Sequence, residues 1–415
     1  MRWTSLLAVL VAGCGLNQGL DEGHLDSELA NNVAKPNSLG AASTFSTAGA
    51  IDLDSTFFEP LGTNGRHCGT CHDAGQGWSL STAGIRDRYL RTKGADPLFR
   101  GNDGAVSPDA NLARPAARWA AYALLRSRGV FRVGLAMPPD PEFDLVAVDD
   151  PYEFASATEL SLFRRPLPAT NLTLISTVMW DGRIASTDLH AALLEQANAA
   201  SVGHAQAEAP IDAETEGQIV DFESALFSAQ LELTGLGRLD AAGAAGGPEA
   251  LASQPFVAGA FDLYDGWAAA ADPAQQAIAR GQALFNTKTR PGGGACRSCH
   301  AAANVGSSPS GLFFDVGISQ ANLDDGTLPV YWFKNKTTNE VRRTTDPGRA
   351  LITGAWNDMD RFKVPQLRSL ASHAPYFHDG SAQTLREVVQ FYERSLGFVF
   401  TAAERDDLVA FLSAL

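Results

Sequence analysis

The stretches Cys68-Gly69-Thr70-Cys71-His72 and Cys296-Arg297-Ser298-Cys299-His300 decide the reading of this chain. Both read C-x-x-C-H, the spacing by which a polypeptide attaches c-type haem. Two thiols add across the porphyrin vinyl groups as thioethers, and the histidine that follows brings a ring nitrogen to the iron. Two other uses of cysteine compete. A redox C-x-x-C does not require the histidine and gives no reason for a second copy. A zinc site takes similar ligands, but Cys14 is the one cysteine left over, so a closed zinc site has no further thiols to draw on. Two covalently bound haems are therefore expected, with His72 and His300 as their iron ligands.

Outward from these motifs, the chain divides. Residues 1–14 read as a processing signal: Arg2 supplies positive charge, residues 6–11 are a short apolar run, and Leu10-Val11-Ala12-Gly13-Cys14 resembles a lipobox with Cys14 as the lipidated residue. That run is too short to span a bilayer, so acyl chains are the expected membrane attachment. Gly15 after the cysteine points to the outer membrane of a bacterial envelope, facing the periplasm. Residues 15–50, rich in Ser, Ala, Asn and Gly, read as a flexible tether. A Gly/Ala-rich stretch at 234–253 reads as a linker between a first domain, 51–233, and a second, 254–415.

Hydrophobic residues make up 45% of the 415 positions and charged residues 19%, which fits a packed core. The net charge of −15 disfavours nucleic acid and anionic membrane as partners and suits a basic redox protein. Each half places its C-x-x-C-H early and closes on a helical pattern. Ile219, Phe222, Leu226 and Phe227 carry it in the first half, and Leu408, Phe411, Leu412 and Leu415 in the second. Thr401 and Glu404 form a capping box. Further helices are expected at 273–285 and 384–396, the latter capped by Thr384 and Glu387. Little strand pattern is visible. The expected fold class is mostly α, with two cytochrome c-like haem domains in tandem.

Several longer motifs resemble the bacterial di-haem cytochrome c peroxidases and their relative MauG. They are Trp180-Asp181-Gly182-Arg183, Glu195-Gln196, Gly281-Gln282-Ala283-Leu284-Phe285, the run from Phe362 to Arg368, and Ala374-Pro375-Tyr376-Phe377-His378-Asp379-Gly380. The resemblance covers about residues 51–415. It implies a peroxidatic first haem, an electron-receiving second haem, and Trp180 coupling them. It makes Gln196 part of the distal pocket and His378 a residue of the second haem pocket. Arg183 and Arg368 become propionate or interhaem partners. Hydrogen peroxide is the implied substrate, with a small cytochrome c or cupredoxin as electron donor.

The chain departs from that pattern in four places. No histidine occurs at 73–189, so the first iron is expected to be open on its distal side. The position of the usual methionine ligand of the second haem falls on Tyr392, as in MauG, with Met359 as the rival ligand. The distal glutamate falls on Gln206, which cannot move protons, and leaves His204 and then Glu208 as acid–base candidates. Arg165 matches the asparagine of the family's interhaem calcium site, which puts calcium in question. The leading function is peroxide reduction. MauG-like oxidation of a partner protein or small molecule, and a non-catalytic di-haem electron carrier, are the alternatives.

Overall fold

A computed structural model describes residues 27–184 and 188–415, so Cys14 and its motif lie outside the described residues. The strands are β1 (Glu28–Ala30), β2 (Lys35–Asn37), β3 (Gly40–Ser46), β4 (Ala50–Asp52), β5 (Phe131–Leu135), β6 (Phe143–Asp149), β7 (Leu160–Arg164), β8 (Leu226–Leu233), β9 (Gly237–Arg238), β10 (Phe313–Phe314), β11 (Val330–Asn335), β12 (Val341–Thr344) and β13 (Phe362–Lys363). The helices are α1 (Thr82–Thr92), α2 (Pro115–Ala121), α3 (Ala123–Arg128), α4 (Leu189–Gly203), α5 (Ala213–Ser224), α6 (Pro248–Ala252), α7 (Pro273–Thr287), α8 (Ile318–Ala321), α9 (Ala350–Thr353), α10 (Leu385–Leu396) and α11 (Ala402–Ser413).

The fold is thus mixed, and the mostly-α expectation needs correction. Small antiparallel sheets, β2-β3-β8-β9 and β12-β11-β6, sit beside the helices, with three further strand pairs. Their strands are two to eight residues long, and β3 reads Gly-Ala-Ala-Ser-Thr-Phe-Ser. Such runs are too short or too poor in β-branched residues to stand out by composition.

The region read as a tether is ordered from Glu28 onward. β3 pairs with β8 from Gly40↔Leu233 to Ser46↔Leu226, and Ala41, Ala42, Ser43 and Thr44 are buried. Small residues serve close approach here, not flexibility: a Cβ on Gly40 would lie 2.2 Å from the Glu232 carbonyl oxygen. The stretch 234–253 holds β9 and α6, and its Leu239 and Leu251 are buried. Gly246 lies against the Leu239 carbonyl, where a Cβ would approach to 2.4 Å. The helical spacing through Ile219 and Phe222 ends with α5, and Leu226 and Phe227 belong to β8.

α11 ends at Ser413, so Leu415 of its expected face lies beyond it, while the other helix expectations hold. α7 begins at Pro273, and the capping boxes of Thr384 with Glu387 and Thr401 with Glu404 are both formed. α7 crosses α11 at Gly281, where a Cβ would lie 2.0 Å from the Asp407 carbonyl oxygen. That contact lets Ile278, Phe285, Leu408 and Phe411 fuse into one core with Tyr264 and Trp267. The halves interlock: β6 of the first pairs with β11 of the second, and Arg164 reaches across to Asp346.

Candidate functional site

The two C-x-x-C-H motifs fold alike. Each starts a single 3-10 turn, Cys68–Thr70 or Cys296–Ser298, in which a hydroxyl caps the backbone. Thr70 Oγ1 accepts from the His67 amide at 3.1 Å, and Ser298 Oγ from the Ala295 amide at 3.0 Å. Each histidine then meets a carbonyl six residues on: His72 Nδ1 lies 3.0 Å from the Trp78 oxygen, and His300 Nδ1 2.5 Å from the Gly306 oxygen. A carbonyl can only accept, so Nδ1 carries the proton and Nε2 keeps its lone pair for a metal. Burial lowers the pKa of both rings, that of His300 to about 4, which keeps them neutral as ligation requires. All four cysteines are free, and burial raises the Cys68 and Cys296 thiols to about 12.

Each histidine lines its own cavity. The first, with 170 Å³ open to the centre of a water molecule, holds Cys71, His72, Gln196, His204, Arg183 and Trp180 among its walls. The second, with 240 Å³, holds Cys296, Cys299, His300, His378, Tyr392 and again Trp180. Trp180, Arg165 and Lys363 belong to both walls. The indole is clamped. Its Nε1 donates to the Arg165 carbonyl at 2.9 Å, its own carbonyl accepts from the Lys363 amide at 2.9 Å, and the His378 ring stands 6.2 Å away edge-on. Asp181, next in sequence, is fully buried between Arg164 and Arg183, which pins the turn that presents the indole.

The distal residues of the first cavity share one side of α4. Leu193, Gln196, Ala200 and His204 recur at helical spacing, with His204 as the C-cap. His204 Nδ1 bonds Asp103 Oδ2 at 2.6 Å, and Arg66 holds the other carboxylate oxygen at 2.6 Å. Burial alone would raise the Asp103 carboxyl, but the bonds from His204 and Arg66 outweigh it and hold its pKa below the usual range. An ionised Asp103 fixes His204 with Nδ1 as donor. Glu208 is not brought to the cavity. The helix ends at Gly203, Gln206 turns with φ of 58°, and Glu208 is exposed.

Tyr392 lines the second cavity from α10, and its hydroxyl makes no hydrogen bond among the described residues. Burial, then the nearby thiols of Cys296 and Cys299, raise its pKa. Met359 does not reach either cavity; it is 1% exposed in a separate core with Phe143 and Trp356. His378 stacks on Phe362 at 4.1 Å, with its Nε2 buried and unbonded. Arg368 is buried and follows Leu367 of the second cavity wall in sequence, but does not itself line the cavity. Its Nε donates to the Asn304 carbonyl at 2.6 Å, and both terminal nitrogens are buried without partners.

These features fit haem. Paired thiols and a metal-ready imidazole stand at each cavity, while buried Arg368, Arg165 and Lys363 have no carboxylate partner among the described residues and suit an anionic guest. Asp103 and Arg66 carry no sequence motif and are legible only in the fold. Glu223 was legible. It is four residues beyond Ile219 on the buried side of α5, and in the first cavity its carboxyl is pushed up to about 8 by burial, with Oε1 unbonded.

His72 and His300, each with Nε2 free for a metal, thus line two cavities that share one indole. No family model matches the chain. Over 178 residues it is 30% identical to a cytochrome-c peroxidase of Pseudomonas sp. (strain SCT), covering 37% of this chain and 43% of that protein. It is 27% identical over 280 residues to the methylamine utilization protein MauG of Methylophilus methylotrophus, covering 62% and 70%. It is 34% identical over 124 residues to the cytochrome c551 peroxidase of Nitrosomonas europaea, covering 30% and 31%. The matched span is thus under half the length of these peroxidases. Among solved structures, a MauG-like protein associated with microbial copper homeostasis aligns at TM-score 0.37 and 19% identity, over 63% of this chain and 76% of that one. A di-haem peroxidase of Burkholderia thailandensis aligns at 0.32 and 17%, over 86% and 83%. The chain is thus similar to bacterial cytochrome c peroxidases and to MauG.

Proposed function

We propose that the chain is a di-haem c-type peroxidase, with two cytochrome c-like haem sites in tandem, that reduces hydrogen peroxide to two waters using two protons and two electrons from an external donor. The observation that carries this is His204, bonded to Asp103, in the same cavity as His72. Haem c bound through Cys68 and Cys71 would supply the iron that takes up peroxide and passes electrons. With Nδ1 committed to Asp103, His204 Nε2 is free to take a proton from one peroxide oxygen and return it to the departing one. Gln196, about two helical turns back along the same cavity wall, offers an amide to orient the substrate.

Trp180 stands where electrons pass between the sites. Tyr392, on the wall of the same cavity as His300, would supply a second protein ligand to a haem iron bound there. A small basic cytochrome c or cupredoxin would suit the acidic surface as donor. We place the chain in the bacterial envelope with Cys14 as its lipid anchor; among the described residues no helix is long and apolar enough to cross a membrane. A second reading, MauG-like oxidation of a partner by peroxide, is favoured by Tyr392, because an anionic oxygen ligand stabilises iron in its higher oxidation states.

Electron paramagnetic resonance of the resting ferric holoprotein tests the proposal. One high-spin signal is expected, with reaction toward stoichiometric peroxide before any reduction. His204→Ala should slow that reaction by about a hundredfold or more. Two low-spin haems inert to peroxide would instead make the chain an electron carrier, with Met179, also on the first cavity wall, as the residue to examine for a sixth ligand.

A further inference from the structure

Between the two cavities lies a cation with no acidic partner among the described residues. Arg165 is 5% exposed and follows β7, where it lines both walls. Its guanidinium is surrounded by main-chain oxygens from three separate stretches. Nη1 donates to the carbonyls of Arg128 at 3.1 Å and Gly129 at 3.4 Å, and Nη2 to that of His373 at 2.7 Å and that of Leu80. Two of these oxygens come from the C-terminal end of α3, where the helix dipole favours positive charge. Gly129 is shaped for the contact: it has φ of 66°, and a Cβ there would lie 2.1 Å from Nη1. Burial draws the Arg165 pKa down to about 10, which leaves the group charged at neutral pH.

Carbonyl oxygens converging from distant segments are the donor set of a hard divalent cation such as calcium. Here the guanidinium has taken those oxygens, and the residues do not fit a metal as well. We propose that Arg165 is a built-in cation that stands in for the interhaem calcium of relatives, tying three segments together and holding the wall shared by the two sites. The same residue anchors the machinery on either side. Its amide donates to the His378 carbonyl at 2.7 Å, and its carbonyl receives the Trp180 indole at 2.9 Å. A bound metal ion can be drawn off by a chelator, whereas a covalently attached cation cannot leave. The inference concerns the haem-loaded protein and holds whether or not that protein reduces peroxide.

The test compares calcium with a chelator on the purified holoprotein, reading calcium content, thermal midpoint and the resting electron paramagnetic resonance spectrum. Wild type should contain no stoichiometric calcium, and neither treatment should shift its midpoint or spectrum. Arg165→Asn removes the cation but supplies an oxygen, so its midpoint should fall and its spectrum should become sensitive to calcium, with added calcium restoring both. Arg165→Lys keeps charge without the fork, and should keep chelator resistance with a smaller loss of stability. Stoichiometric calcium in wild type, or a response of wild type to the chelator, would overturn the proposal even if no variant folded. So would an Arg165→Asn protein indistinguishable from wild type, or one that calcium fails to restore.

Discussion

Tyr392 and Met359 show how one side chain's surroundings decide its chemistry. Tyr392 presents an unbonded hydroxyl to the cavity of His300, while Met359 is enclosed by Phe143 and Trp356. A neutral thioether stabilises ferrous iron better than phenolate does. Tyr392→Met should therefore raise the midpoint of one haem by on the order of a tenth of a volt, inside the ~0.8 V that axial ligands span. A spectroelectrochemical titration reads it. Met359→Ala should leave both spectra unchanged and cost about 2–5 kcal/mol of stability as a core truncation. A spectral change in the Met359 variant with none in the Tyr392 variant would reverse the two roles.

At the scale of elements, the stretch joining α9 to β13 places a carboxylate where water cannot reach. Asp360 is 2% exposed, adopts φ of 64°, and leaves Oδ1 unbonded. Burial raises its pKa to about 7. A carboxyl raised in the folded state holds its proton more tightly there than in the unfolded chain. Its contribution is complete below the unfolded pKa of about 3.9 and is lost as pH rises through about 7. At ~1.4 kcal/mol per unit, the loss reaches roughly 4 kcal/mol. Asp360→Asn tolerates the left-handed backbone and should flatten this slope. Denaturant titrations from about pH 4 to 8 check it; equal slopes in the two proteins would show that Asp360 titrates normally. The α7–α11 crossing belongs to the same scale, because only a residue without Cβ lets Gly281 lie against the Asp407 carbonyl.

For the whole molecule, the seam between the halves is ionic as well as apolar. Arg164, 3% exposed, bonds Asp346 through Nε at 2.7 Å and Nη2 at 2.9 Å, and also bonds Asp181 beside the indole. It joins β7, the Trp180 turn and the second half at one point. Arg164→Met should leave two buried carboxylates facing each other and lower stability by about 3–5 kcal/mol. The cost should be partly recovered by adding Asp346→Asn. A denaturation midpoint within error of wild type would mean that the seam is held by apolar packing alone. The disturbance should also reach the resting spectrum, since Asp181 pins the turn that carries Trp180.

Local chemistry was legible along the chain because it is written in consecutive residues. The C-x-x-C-H turns, the capping boxes of α10 and α11, the start of α7 and the Trp-Asp-Gly-Arg turn all depend on partners a few positions away. His204 and Tyr392 were also within reach, since helical spacing brings each to the face that meets a cavity. Glu208 lies outside the cavity because the α4 helix ends before it, an end set by the turn at Gln206 and its contacts with Thr63 and Asn64. Tertiary structure alone decided what depends on distant partners. It paired residues 40–46 with 226–233, turned glycine-rich stretches into close-packed backbone, gave His204 its Asp103, and closed four carbonyls around Arg165. The physical reason is that a strand of small residues or a buried charge is stable only once its partner has arrived, and sequence spacing does not record which segment that partner comes from.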